Sequence, residues 1–169
     1  ADGKIQGRSS SYNAQVRMGE DVLTRSEACT QSREAVVEGQ RLLLEDTLIP
    51  LWEELTRKTG HDGSQLAGVA VAGNTTMLHL LVGEDPSPMG KMPFTPVFLD
   101  GQRRPHNSFP GLQNAWKGAD EIPWYLLPGY AAYVGADIAA GWLASGMVEN
   151  KCTHLLIDIG TNGEILLQH

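Results

Sequence analysis

The residues best suited to chemistry lie near the C-terminus. Residues 153–167 read as an apolar strand through Ile157-Asp158-Ile159, a polar turn Gly160-Thr161-Asn162-Gly163, and a second apolar strand that opens on Glu164. Such a turn can present consecutive backbone N–H groups to an anion, and its two glycines leave room for close approach. Asp158 stands at the strand end, where a carboxylate can hold magnesium or its water shell. Beside a bare phosphate that carboxylate repels; a cation between them removes the conflict. The pairing therefore points to metal-bound phosphate. The plain alternative is an ordinary hairpin, because Asn-Gly is a strong type I′ turn signal between strands.

The elements upstream must position this turn. Residues 66–73 form a small-residue apolar run, expected as a buried parallel strand. Asn74 follows as a helix cap, and residues 75–82 as its helix. Residues 124–127 read as a short strand and residues 133–145 as a helix of small residues that can pack closely on a sheet. Residues 32–58 are helical, with Val37, Leu44, Leu48, Leu51 and Leu55 on one face. Ser32 caps that run, Gly60 stops it, and Pro50 should kink or divide it. A short helix is expected within residues 19–28, and an edge strand within residues 4–12. Residues 83–110 hold six prolines and read as a long irregular connection. Strand–helix alternation makes the chain α/β. Gly73, Gly129, Gly135 and Gly160 mark corners where strands meet helices or turns, and ligands of α/β sheets sit beyond strand carboxyl ends.

Composition narrows the partners. The chain has 169 residues and a formal net charge of −7. That argues against nucleic acid held through phosphate contacts and against a basic membrane-surface patch. Arg103-Arg104 reads as a solvated loop pair. Cys29 and Cys152 are far apart and belong to no CxxC pair, so they read as free thiols of a reducing compartment. No signal peptide or membrane-length apolar run appears, and a cytoplasmic protein is expected.

Three segments in order go further: residues 72–81 (AGNTTMLHLL), residues 126–137 (LLPGYAAYVGAD) and residues 156–164 (LIDIGTNGE). Together they resemble the ATP-dependent reductive activators of corrinoid proteins, within the actin-like ATPase superfamily. Residues 11–15 (SYNAQ) and 19–25 (GEDVLTR) resemble further family segments, with Ala14 where the family usually has Pro; residues 93–98 (PFTPVF) also look familial. The resemblance implies an incomplete ribonuclease-H-like (actin-like ATPase) lobe over residues 1–150, lacking its initial phosphate hairpin. It implies that residues 151–169 open a second lobe. The cofactors implied are ATP and Mg2+, with a [2Fe–2S] cluster only in a domain outside this chain. The implied work is ATP-driven reduction of cob(II)alamin to cob(I)alamin on a corrinoid protein of a methyltransferase system.

The same resemblance assigns roles. Gly160, Thr161, Asn162 and Gly163 match a second phosphate loop, contacting phosphates through backbone N–H groups and the Thr161 hydroxyl. Asp158 would hold magnesium through water. Glu164 would polarise a water or cap the turn. Asp137, at a helix start as in the sugar kinases, would position water for γ-phosphate attack; otherwise it complements the helix dipole. Asn74, Thr75 and Thr76 read as helix capping, and His79 as a core histidine. Two other readings stand beside this one. The chain could belong to another actin-like phosphotransferase, such as a small-molecule kinase. It could also be a non-catalytic interaction module, a homodimer formed through an exposed sheet edge or through exchange of the terminal hairpin.

Overall fold

The computed structural model describes residues 3–160 and 162–169. The N-terminal stretch forms no strand: residues 3–13 join no sheet. Rich in Ser and Gly, it lacks the apolar alternation of a half-buried strand and lies along a helix instead. Lys58 Nζ donates to the Arg8 carbonyl at 3.3 Å, and Ser9 Oγ to Glu54 at 2.5 Å. A short turn then buries Gln15, whose amide donates to the Gly39 carbonyl at 2.7 Å.

Helix α1 spans Val22–Cys29 and begins at Asp21, whose carboxylate accepts from the Thr24 N–H at 2.8 Å. Helix α2 spans Arg33–Leu43, with Ser32 as its cap. Helix α3 spans Ile49–Thr59 and stops at Gly60, at φ 72°. Between α2 and α3 lies one wide turn of π-helix, Leu44–Leu48. Thr47 explains it: the hydroxyl reaches the Leu42 carbonyl at 3.0 Å and accepts from the Ala14 N–H at 3.0 Å. A side chain inserted into the ladder opens it locally. Pro50 then falls in the first turn of α3, where a missing N–H costs little. The expected division at Pro50 is thus a wide turn ahead of it. The extra residue also rotates the buried face. Val37, expected inward, is 54% exposed, and Val36 is 1% exposed.

Strand β1 spans Val69–Val71 and leads through Asn74 into α4, Thr75–Val82. Strand β2, Gln102–Pro105, lies inside the proline-rich stretch expected to be irregular. Arg103 and Arg104 therefore sit in a strand opposite Tyr125 and Trp124, not in a loop. After the short helix α5, Leu112–Ala115, strand β3 spans Pro123–Leu126. The sheet order is β1-β3-β2, with β1 parallel and β2 antiparallel to β3. Trp124, Leu126, Phe109, Leu112 and Leu78 fill the core beneath it. Trp116 stacks on Trp52 with ring centroids 4.6 Å apart. His79 is fully buried in α4, as expected of a core histidine. Its Nδ1 meets the Thr75 carbonyl at 2.7 Å, and its Nε2 accepts from the Val97 N–H at 3.0 Å. One imidazole thereby ties the proline-rich connection to the core.

Helix α6 spans Ala136–Ala144. Strands β4, His154–Ile159, and β5, Gly163–Gln168, form a separate antiparallel hairpin that does not extend the first sheet. It leans on α6. Leu156 faces Gly141, and the Trp142 indole N–H donates to Gln168 Oε1 at 2.6 Å. The opposite face, Leu155, Ile157, Ile159, Ile165 and Leu167, is exposed. No helix among the described residues is long and apolar enough to cross a membrane.

Candidate functional site

The tip of this hairpin closes a cleft of about 200 Å3 against the starts of three helices. The backbone at the start of α6 explains how. The Ala136 and Asp137 N–H groups both donate to the Gly73 carbonyl, at 3.0 and 3.3 Å. Such closeness requires glycine at 135. A Cβ there would stand 2.6 Å from Asn74 Cα and 2.9 Å from the Gly73 oxygen, separations that real Cβ atoms do not tolerate. The tight corner brings Asn74 and Asp137 to one rim. Asn74 caps α4, accepting from the Met77 N–H at 2.9 Å, and also lines the cleft. The Asp137 carboxylate bonds only its neighbour's N–H, that of Ile138 at 3.0 Å, among the described residues.

The hairpin contributes Asp158, Gly160, Asn162 and Glu164 to the cleft. Asp158 and Glu164 are direct cross-strand partners. Like charges placed opposite each other destabilise an antiparallel pair, and neither carboxylate has an ion-pair partner among the described residues. Such a pair gains from a cation. No group of three ligating side chains is assembled among the described residues. Water or phosphate oxygens must therefore complete any metal's shell here.

The turn differs from both sequence expectations in its details. The Gly160 N–H donates to the Asn162 carbonyl at 2.9 Å, so it is occupied within the turn and not presented to a ligand. Gly163 does not have a positive φ, and it already belongs to β5. A type I′ turn centred on Asn-Gly needs positive φ at both, so that turn is not formed. Among the described residues, a Cβ at Gly163 would meet nothing within 4 Å, and one at Gly160 only the Asn162 oxygen at 3.8 Å. What the two glycines provide is open space on the cleft's edge. The expected contact through Thr161 lies outside the described residues.

The α1 wall was not foreseen as part of a site. Glu20, Asp21, Val22 and Arg25 line the cleft facing Tyr133 and the hairpin residues. The Thr24 backbone N–H and hydroxyl hold the Asp21 carboxyl below the usual carboxylate range. A signal was present: a glycine before an Asp cap, with an arginine one turn into the helix. A larger recess of about 620 Å3 lies between residues 7–10 and α3. Its charged side chains include Glu54 and Lys58, which pair with each other.

The chain and its fold have relatives. The family described as RACo middle region matches residues 1–150. The chain belongs to that family. This RACo middle region is 28% identical over 163 residues to the corrinoid activation enzyme RamQ of Eubacterium limosum, covering 96% of the chain and 26% of RamQ. It also matches a solved structure named reductive activator for corrinoid, iron-sulfur protein. There the identity is 32% and the TM-score 0.89, over 98% of this chain and 25% of that one. The mixed α/β arrangement is thus shared, and the chain spans about a quarter of the length of these relatives.

Proposed function

We propose that this chain is the part of an ATP-dependent reductive activator of a corrinoid protein that grips the nucleotide's phosphates. The observation that carries the reading is the cross-strand Asp158–Glu164 pair, without an ion-pair partner among the described residues, set beside the glycine turn and lining one cleft with Asp137. The family membership supports the corrinoid assignment. The cleft, at about 200 Å3, is smaller than sites that enclose whole drug-sized ligands. It suits a metal-bound phosphate end, with the nucleoside held elsewhere.

The residues fit magnesium bound jointly with phosphate, with Asp158 and Glu164 as its carboxylate neighbours. Bound there, the ion would neutralise charge on the phosphate oxygens. Asp137, with one carboxylate oxygen free of described partners, accepts a proton from or orients the water that attacks the terminal phosphate. In the intact protein, nucleotide binding favours the conformation in which a corrinoid protein's cob(II)alamin takes up one electron, given by a reduced [2Fe–2S] cluster outside this chain, to become cob(I)alamin. The chain does not itself fit a [2Fe–2S] cluster. Cys29 is buried, with its thiol pushed up to about 11, and Cys152 is exposed. Such clusters take four ligands, more than these two cysteines supply.

The bare apolar face of the hairpin supports a second part of the reading: residues 151–169 begin a second, ribonuclease-H-like lobe that covers that face. ATP turnover by the intact protein tests the site. Asp137→Asn should lower turnover by about a hundredfold or more while MgATP still binds. Unchanged turnover removes Asp137 from the reaction. The chain of residues 1–169 alone should bind MgATP weakly or not at all; micromolar affinity by calorimetry would refute the division of the site between two lobes.

A further inference from the structure

Arg25 is the only cationic side chain among the described residues lining the cleft, whose other charged groups are the carboxylates of Glu20, Asp21, Asp137, Asp158 and Glu164. Three contacts fix its head group. Nε donates to the Gly19 carbonyl at 2.8 Å, one terminal nitrogen to the Glu20 carbonyl at 3.4 Å, and the other to the Met77 sulfur at 3.2 Å. The platform is stiff, because a Cβ at Gly19 would stand 2.5 Å from Thr24 Oγ1 and 2.7 Å from the Arg25 nitrogen. None of these partners is an anion, and Arg25 forms no ion pair among the described residues. Burial pulls its pKa below that of a free guanidinium. Asp21, four residues back, attracts it from a distance without forming an ion pair, so a partly buried charge is left without a direct anionic partner, and a planar guanidinium is suited to phosphate oxygens.

We infer that Arg25 is an anion-binding residue of the cleft and contacts the phosphate oxygens of the bound nucleotide from the α1 wall. The inference rests on the magnesium–nucleotide reading of the site and adds its missing cation. Carboxylates on the hairpin face the metal, and the guanidinium on α1 faces the phosphates. A metal-bound phosphate is then neutralised from two walls. The donors left on the terminal nitrogens of Arg25 are the ones available to it.

The test is calorimetric titration of MgATP into the intact protein and its Arg25→Met, Arg25→Gln, Arg25→Lys and Asp158→Asn variants. Arg25→Met and Arg25→Gln should both weaken binding by about tenfold to a hundredfold, as loss of a charged hydrogen bond does. Arg25→Lys should keep part of the affinity. Each neutral variant should also show a shallower loss of affinity with added salt than wild type. Gln retains a donor for the Gly19 carbonyl, so it separates charge from loop support. If Arg25→Gln binds as tightly as wild type while Arg25→Met does not, the residue only supports the loop and the inference is overturned. If both neutral variants bind like wild type while Asp158→Asn is weakened, Arg25 is excluded and the phosphate site stands. No MgATP binding by the wild-type intact protein removes both.

Discussion

The three-stranded sheet and the terminal hairpin are made from similar residues and put them to opposite use. In β3, Trp124 and Leu126 are almost fully buried. In the hairpin, Leu155 and Ile157 are more than half exposed, and Ile159 is 87% exposed. The sheet satisfies itself: helices, the Trp52–Trp116 stack and the His79 tether close over it. The hairpin satisfies only one face. Its inner side packs Leu156 toward α6 and extends Asp158 and Glu164 into the cleft; its outer side has no cover. The difference teaches that burial is completed within the sheet and left half-finished in the hairpin. Residues up to about 145 build a platform that carries one wall of the cleft, and the hairpin adds Asp158 and Glu164 as the other.

That comparison can be broken by mutation. The largest effect should come from the platform. Trp124→Ala removes a fully buried indole that touches Phe109 and Trp116 and should cost about 3–5 kcal/mol in chemical denaturation. A loss below about 1 kcal/mol, the centre for ordinary substitutions, would mean that the sheet is not the stabilising core.

Acid should act next, and again through the platform. Burial lowers the pKa of both His79 and His106. The unfolded chain binds protons at these positions below its ordinary histidine pKa, about 6.5, while the folded chain resists them. Their contribution is fully present above that pH and is lost as pH falls below it. Asp21 and Asp46 are also shifted down, held by hydrogen bonds below the ordinary carboxylate value, so their contribution is lost only at still lower pH. Melting temperature should therefore begin to fall between about pH 6.5 and 5. A melting temperature flat to pH 5 would contradict the histidine burial.

The smallest effect belongs to the hairpin's outer face. In the chain of residues 1–169 alone, Ile157→Thr should change stability by less than about 0.5 kcal/mol, as an exposed substitution does. A loss of 2 kcal/mol or more, about the cost of a buried aliphatic, would show that this face is covered in solution.

Local signals made much of this legible. Ser32, Asn74 and Gly60 mark helix ends because caps and left-handed stops depend on neighbouring residues alone. Asp137, Asp158 and Glu164 could be singled out from their segments, and the structure brings them to one cleft. What the sequence hides is set at a distance. Val36 replaces Val37 in the core because Thr47, eleven residues on, opens the helix. Strand β2 escapes notice because Gln-Arg-Arg-Pro carries no β pattern; its neighbour β3 makes it a strand. Arg25 joins the site only because α1 lies against the cleft. The Gly160 N–H is lost to the ligand through a bond within the turn that composition cannot show.

The wide turn at Leu44–Leu48 has a consequence for how this chain can change in length. It holds one residue more than a regular helical turn needs. Removing a single residue there would restore continuous α-helix, and with it an ordinary hydrogen-bond ladder. It would also turn everything beyond that point by about 100° relative to α2, carrying Trp52 away from Trp116. Evolution can therefore exchange side chains along these helices with some freedom. Deletion within this one turn, harmless to the helix itself, would break the register between two layers of the protein.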